Sequence, residues 1–450
     1  MTLLIGYPIG LWLASVRRGR RVLTSVLLVP FLLPAFLVGL AFRPVFGPGL
    51  DDPGIATIAV IFAHALMNAG FIAVVTASSL VPREHIEAAA LDGASVGQIR
   101  RFVELPQQLP ALGAAGLLVA LYSATSFGLI ITLGQGSLNT LETGIAIAAL
   151  QMLDLPTAGF LAFLQSLLTV AFFAISTRLG ATPTVLFGHS EVRSSRSPTG
   201  LVFGVVVLGA ILWLIGGVFS RAALAGPGLW GNIANLAGRG SRDILNLTVM
   251  EAVGNSLRNM TIAVVIAIAI AWWLGTKKVG LAVLAPIGIS PVVIGLGALV
   301  VSGYLPPAIA GSWVLLPLVQ SVFLTPLAFQ IIAPARRAMS TDLLEAARLD
   351  GANALQVWSL VELPVLARPV TAAAALVSLG SLGEFGAARF LAYGSDQTLP
   401  LVMFRLMSRP GGENLGMAMV AASGFIAVAI VVVWLIATVG QPRERGVARG

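Results

Sequence analysis

Apolar positions in this chain neither alternate nor recur at the spacing of a surface helix. They run in blocks of about twenty residues, separated by short polar stretches. At 1.5 Å per residue, a helix of that length crosses the hydrocarbon core of a bilayer. Eleven such spans are predicted: 2–16, 22–42, 55–80, 110–133, 157–179, 200–219, 257–275, 279–302, 308–333, 368–391 and 415–438. Pro30, Pro34, Pro286, Pro291, Pro317 and Pro326 fall inside them; membrane helices tolerate proline where neighbours satisfy the freed backbone groups. The block 2–16 has no basic residue before it and no small-residue cleavage site after it, so it reads as a span and not as a signal peptide.

Composition agrees with lipid as the main solvent. Of 450 residues, 57% are hydrophobic and only 10% charged, against about 25% charged in soluble domains. There is no cysteine, which removes disulfides and thiolate chemistry. His64, His85 and His189 are far apart in sequence, and no metal site is expected. The net charge of +8 is a matter of placement. If span 2–16 runs from outside to inside, the inside loops are 17–21, 81–109, 180–199, 276–278, 334–367 and 439–450. These loops and the adjoining span ends hold 19 of the 27 Lys and Arg; only Arg43, Arg221, Arg239, Arg242, Arg258, Arg389, Arg405 and Arg409 lie elsewhere. That is the bias that orients a membrane protein. It places the C-terminus in the cytoplasm and leaves no case for nucleic acid.

Two inside loops repeat one another. Residues 87–106 read EAAALDGASVGQIRRFVELP and residues 345–364 read EAARLDGANALQVWSLVELP, identical at twelve of twenty positions with an offset of 258 and no gap. The same offset pairs Phe127-Gly128 with Phe385-Gly386 and Thr140-Leu141 with Thr398-Leu399. Polar loops in register mark a tandem duplication, with halves 1–198 and 199–450. The counterpart of span 200–219 would fall before Met1. The first half thus lacks its first helix, which is expected to reflect a late start and not a true five-plus-six arrangement.

Each repeated loop suits a helix–turn–helix. Glu84–Asp92 and Asp342–Asp350 are rich in good helix formers. Gly93 and Gly351 stand where a helix end favours left-handed backbone. A second short helix is expected to end at Leu-Pro. The Ala88-Ala89 and Ala346-Ala347 pairs allow another surface to approach closely, and two copies suit two copies of a partner.

Glu87-Ala88-Ala89, Gly93, Val103 and Leu105-Pro106, repeated as Glu345-Ala346-Ala347, Gly351, Val361 and Leu363-Pro364, resemble the EAA signature of binding-protein-dependent ABC importer permeases. The resemblance implies an all-α polytopic protein of two pseudo-symmetric permease halves in the bacterial inner membrane. It implies that Glu87, Ala88, Ala89, Gly93, Glu345, Ala346, Ala347 and Gly351 dock two copies of an ATPase subunit, and that a soluble binding protein delivers cargo on the other side. Alternating access driven by the partner's ATP follows from it.

No phosphate-cradling loop occurs; Gly275-Thr276-Lys277 lacks both its spacing and the hydroxyl after Lys. No zincin helix and no Gly-x-Ser-x-Gly elbow is present. The chain is therefore expected to be no enzyme and to bind no cofactor, with ATP hydrolysed by a separate subunit. An intramembrane enzyme lacks converging polar residues, and a secondary transporter, which also uses internal repeats, leaves the paired loops unexplained.

For the cargo, Ser126-Phe127-Gly128, Leu133-Gly134-Gln135-Gly136 and Thr140-Leu141-Glu142 resemble thiamine permeases. Ser381 to Gly386, Thr398-Leu399-Pro400 and Arg409-Pro410-Gly411 resemble both the thiamine and the ferric-iron groups. The expectation is thiamine, with ferric iron as alternative. Ser126, Phe127, Glu384 and Phe385 are candidates for the translocation path. Glu384 falls inside span 368–391, where an ionised group costs on the order of 3 kcal/mol, so it is expected to face either a wet path or a partner such as Arg389. Outer loops 134–156, 220–256 and 392–414 are expected to meet the binding protein, with Ser241–Asn255 as a candidate interfacial helix.

Overall fold

The computed structural model describes all residues except 17, 135, 179–196, 278–282, 284, 410 and 440–450. Most of loop 180–199, the tail 439–450, the start of span 279–302, and Gln135 and Pro410 thus lie outside the described residues. Every regular element among the described residues is helical. The first half holds α1 (Thr2–Ser15), α2 (Arg20–Leu32), α3 (Ala35–Phe46), α4 (Pro53–Ser78), α5 (Arg83–Leu91), α6 (Val96–Ile99), α7 (Leu105–Ala124), α8 (Phe127–Leu133), α9 (Leu141–Leu150) and α10 (Leu155–Arg178). The second holds α11 (Pro198–Leu224), α12 (Gly228–Ala234), α13 (Val249–Leu274), α14 (Pro291–Ser302), α15 (Pro307–Ala310), α16 (Leu315–Arg337), α17 (Thr341–Leu349), α18 (Ala354–Gln356), α19 (Leu363–Leu382), α20 (Ala388–Leu391), α21 (Leu399–Met407) and α22 (Gly412–Val439).

The offset of 258 carries over from loops to helices. Added to the bounds of α5 it gives 341–349, the bounds of α17; added to α7 it gives 363–382, the bounds of α19; α9 lands on α21 to within one residue. Helices α4 and α16, and α10 and α22, pair in the same way, and α11 has no counterpart among the described residues.

Among the described residues, eight helices are long and apolar enough to cross a bilayer, or nine if the bent pair Arg20–Leu32 and Ala35–Asp51, which turns through 91°, is one span. The expected eleven differs from this count where hydropathy averages across breaks in the helices. Span 22–42 breaks at Leu33, whose extended backbone (φ −72°, ψ 143°) is what the following Pro34 favours. Span 110–133 ends as a helix at Ala124 and resumes in the short α8; span 368–391 stops at Leu382 and resumes in α20. Span 279–302 is represented by the twelve residues of α14, and α1 is a fourteen-residue apolar helix.

Small residues set the tightest helix contacts. Along α13, Ala263, Ala267 and Ala271 recur every four residues at 0% exposure and pack against Leu324, Ala328 and Ile332 of α16. A side chain at Gly200 of α11 would stand 2.0 Å from the carbonyl oxygen of Pro8, so α11 of the second half lies directly on the backbone of α1 of the first.

Candidate docking loops and central path

Asp92 is the C-cap of helix α5 and Gly93 takes φ +83°; Asp350 is the C-cap of helix α17 and Gly351 takes φ +87°. The Ala94 N–H donates to Ala89 O and the Gly93 N–H to Ala90 O, while Ala352 donates to Ala347 O and Gly351 to Arg348 O. This 6→1 and 5→2 pair closes a Schellman turn in both loops. A capping box then starts each following helix, Ser95 with Gln98 and Asn353 with Gln356. Glu87, Ala88, Glu345 and Ala346 are exposed, and Ala89 and Ala347 partly so.

The expected stop at Leu-Pro does not occur. Residues Val96–Ala124 and Ala354–Leu382 each run as one helix, passing through π-helical segments Arg100–Glu104 and Val357–Glu362 directly before Leu105-Pro106 and Leu363-Pro364. The wider turn absorbs the proline, whose ring and missing N–H an unbroken α-helix would not accommodate. Two residues had not been singled out from the sequence. Leu91 and Leu349, identical in the repeat, are 89% and 88% exposed on the same turn.

The four candidate path residues meet where the halves touch. Ser126 and Glu384 occupy the matched breaks after α7 and α19. Phe385 stacks on Phe36 (5.5 Å) and Phe127 (5.6 Å) of the first half and meets Phe404 edge-on (5.4 Å). Phe127 and Phe385 are 3% and 4% exposed, so this centre is closed. The chain at Gly383 lies against Pro34, at the break in span 22–42, where a Cβ would be 2.4 Å from the proline ring. The breaks in spans 22–42 and 368–391 thus bring the two halves into contact at Pro34 and Gly383.

Glu384 is not within a helix, as span 368–391 had implied. Its Oε1 accepts from the Ala387 N–H at 2.6 Å and its Oε2 from the Ala388 N–H at 2.9 Å. The carboxylate therefore satisfies donors at the start of α20, a favourable place for negative charge. Among the described residues no ion pair joins it to Arg389, whose guanidinium lies 5.9 Å from the Phe404 ring centroid.

Helix α9 of the first half holds a second buried acid. Glu142 is 1% exposed and accepts from Gln165 Nε2 at 3.1 Å, on a helix that packs against α14 of the other half. Its only sequence signal was a charge just inside an apolar run. On the outer side, 134–156 and 392–414 are not plain loops: they contain α9 and α21, both with buried faces. The expected interfacial helix 241–255 is not formed. Arg242 and Asp243 take φ +60° and +50°, and α13 starts only at Val249, capped by Thr248 and Glu251.

Residues 6–184 and 283–445 match the family of the binding-protein-dependent transport system inner membrane component. A thiamine transport system permease from Brucella abortus is 25% identical over 442 residues, 90% of this chain and 79% of the relative. A molybdenum transport permease from Haemophilus influenzae is 29% identical over 186 residues, 38% of this chain and 81% of the relative. A sulfate transport permease from Synechococcus elongatus is 31% identical over 189 residues, 39% of this chain and 66% of the relative. With the family matched in two stretches over most of its length, the chain belongs to the membrane-spanning permease components of binding-protein-dependent ABC importers.

Proposed function

We propose that the chain, with permease halves 1–198 and 199–450, forms the whole translocation path for thiamine, driven by two copies of a separate ATPase subunit. The observation that carries the docking half of this reading is the matched pair of exposed loops. Each presents the same Glu-Ala-Ala turn and the same exposed leucine on an identical Schellman turn. Docking residues are Glu87, Ala88, Ala89, Leu91 and Gly93 on one loop and Glu345, Ala346, Ala347, Leu349 and Gly351 on the other. ATP is bound by the partner, and a soluble binding protein hands cargo to the opposite face.

For the cargo, support comes from the thiamine permease relative, which matches through both halves where the molybdate and sulfate permeases match about one. Ser126, Phe127, Glu384 and Phe385 line the path, and the Phe127–Phe385 stack is its closed point. The test is uptake of radiolabelled thiamine, and separately of ferric iron, by cells expressing the chain with its ATPase and binding protein. Thiamine accumulation well above the empty vector is expected. Iron uptake alone would replace thiamine by the alternative.

A further inference from the structure

We propose that Arg336 is a positioning residue that ties the second docking loop to the ends of α13 and α16, so that movement of that loop is passed to both membrane helices. The inference rests on the docking role proposed for Glu345, Ala346, Ala347, Leu349 and Gly351. Arg336 sits in the last turn of α16, and its guanidinium serves three elements at once. Nη2 pairs with Glu362 Oε2 at 2.8 Å, and both side chains are only 12–14% exposed. Nη1 donates to the carbonyl oxygen of Trp272 in the last turn of α13. The plane lies over the Trp272 ring at 4.5 Å, and that ring meets Trp358 of the docking segment edge-on at 6.3 Å.

Each contact has a reason to be strong. Trp272 O also accepts from the Gly275 N–H that closes α13, so Arg336 adds a second donor to a carbonyl at the helix end, and Arg337 Nε donates to Gly275 O at 3.0 Å just beyond it. Glu362 closes the π-helical segment that joins the loop to α19, so a pull on the loop reaches this carboxylate first. A paired, largely desolvated guanidinium with planar contacts resists displacement better than a lone hydrogen bond.

The first half is wired differently. The offset places Ser78 where Arg336 stands, and its hydroxyl donates to Val74 O of its own helix. Arg336 therefore has no arginine counterpart at the matching position of the first half.

The test uses the complete complex of permease, ATPase and binding protein. Spin labels on Asn139→Cys and Ser395→Cys, in a chain with no native cysteine, report the distance between the two outer ends before and after trapping with ATP and vanadate. In Arg336→Gln and in Glu362→Gln the trapped distance change should shrink at least threefold, with basal ATP hydrolysis within about twofold of wild type. The double variant should do no worse than either single one, and Ser78→Ala should behave as wild type. A wild-type distance change in an assembled Arg336→Gln or Glu362→Gln complex overturns the proposal, as does loss of assembly in both, which would assign the pair to fold maintenance. Crosslinking of Ala346→Cys to the ATPase in the otherwise unchanged chain separates this from the docking reading: without that crosslink both fall, with it only the strap is in question.

Discussion

At the scale of the residue, Gly351 and Gly93 show what the sequence can and cannot announce. Their place after an Ala-rich helix pointed to left-handed backbone, and φ is +87° and +83°. Nothing lies within 4 Å of a Cβ built on either one, so the cost of a side chain there is conformational and not steric. A β-branched residue should cost roughly 1–2 kcal/mol, enough to reshape an exposed turn while leaving the fold intact. Gly351→Val should therefore lower binding-protein-stimulated ATPase activity, and Gly351→Asn, larger than alanine but tolerant of this region, should retain most of it. Equal loss in both would mean that size matters and that the turn geometry does not. Leu91 and Leu349 carry a second expectation. Burying one leucine side chain against a partner contributes about 1.5–3 kcal/mol, so Leu91→Ala with Leu349→Ala should weaken association with the ATPase at least tenfold, measured by co-purification across a concentration series. Glu384 supports a more modest prediction. Glu384→Gln leaves one oxygen to accept where two backbone donors now converge. It should reduce thermal stability along with uptake, and a full loss of uptake at unchanged melting temperature would restore the glutamate to direct contact with cargo.

At the scale of the element, the spans were legible as apolar blocks but their interruptions were not. A hydropathy window sees Ser126-Phe127 or Gly383–Ala387 as two or three weakly polar residues in an apolar run, whereas the helix is broken at both and the chain at Gly383 lies against Pro34 of the other half. Proline was read as tolerated inside spans, and at Pro34 the structure uses it to break one. At Pro106 and Pro364 the error runs the other way, because a π-helical turn carries the helix through. The repeat was legible in full since it depends on identity in register and not on any single conformation. Close helix approach was also invisible to pattern. Gly200 looks like one of several glycines in an apolar block, yet it lies on the Pro8 carbonyl. Gly200→Leu should force α11 away from α1 and destabilise the protein by about 1–3 kcal/mol, the range for overpacking. The check is thermal unfolding in detergent alongside Gly209→Leu, where a Cβ meets nothing within 4 Å and no change is expected.

At the scale of the whole molecule, the two halves share a centre, and its chemistry explains why a permease with so few charges can still hold a defined closed state. Phe385 of one half sits among Phe36 and Phe127 of the other, and the Thr169 hydroxyl donates to the Gly288 carbonyl oxygen across the same boundary. Aromatic stacking excludes water, while the buried polar contacts fix the register in which the halves meet. Such a centre transmits force only if both docking loops lie on one side of the membrane, and the distribution of basic residues predicts that this side is the cytoplasm. The Cys-free chain makes this directly testable. Single cysteines at Ser95 and Asn353, the N-caps of the helices that follow the docking turns, should be shielded from a membrane-impermeant thiol reagent in intact cells and become reactive once the membrane is permeabilised. A cysteine at Ser395, exposed on the far side of α20, should react in intact cells. Both loops must report the same side, because an offset of 258 that preserves every helix from α4 to α10 also preserves their direction. Labelling of Ser95→Cys from outside would overturn the orientation, and opposite results at Ser95 and Asn353 would overturn the parallel arrangement of the halves on which a shared pair of ATPase subunits depends.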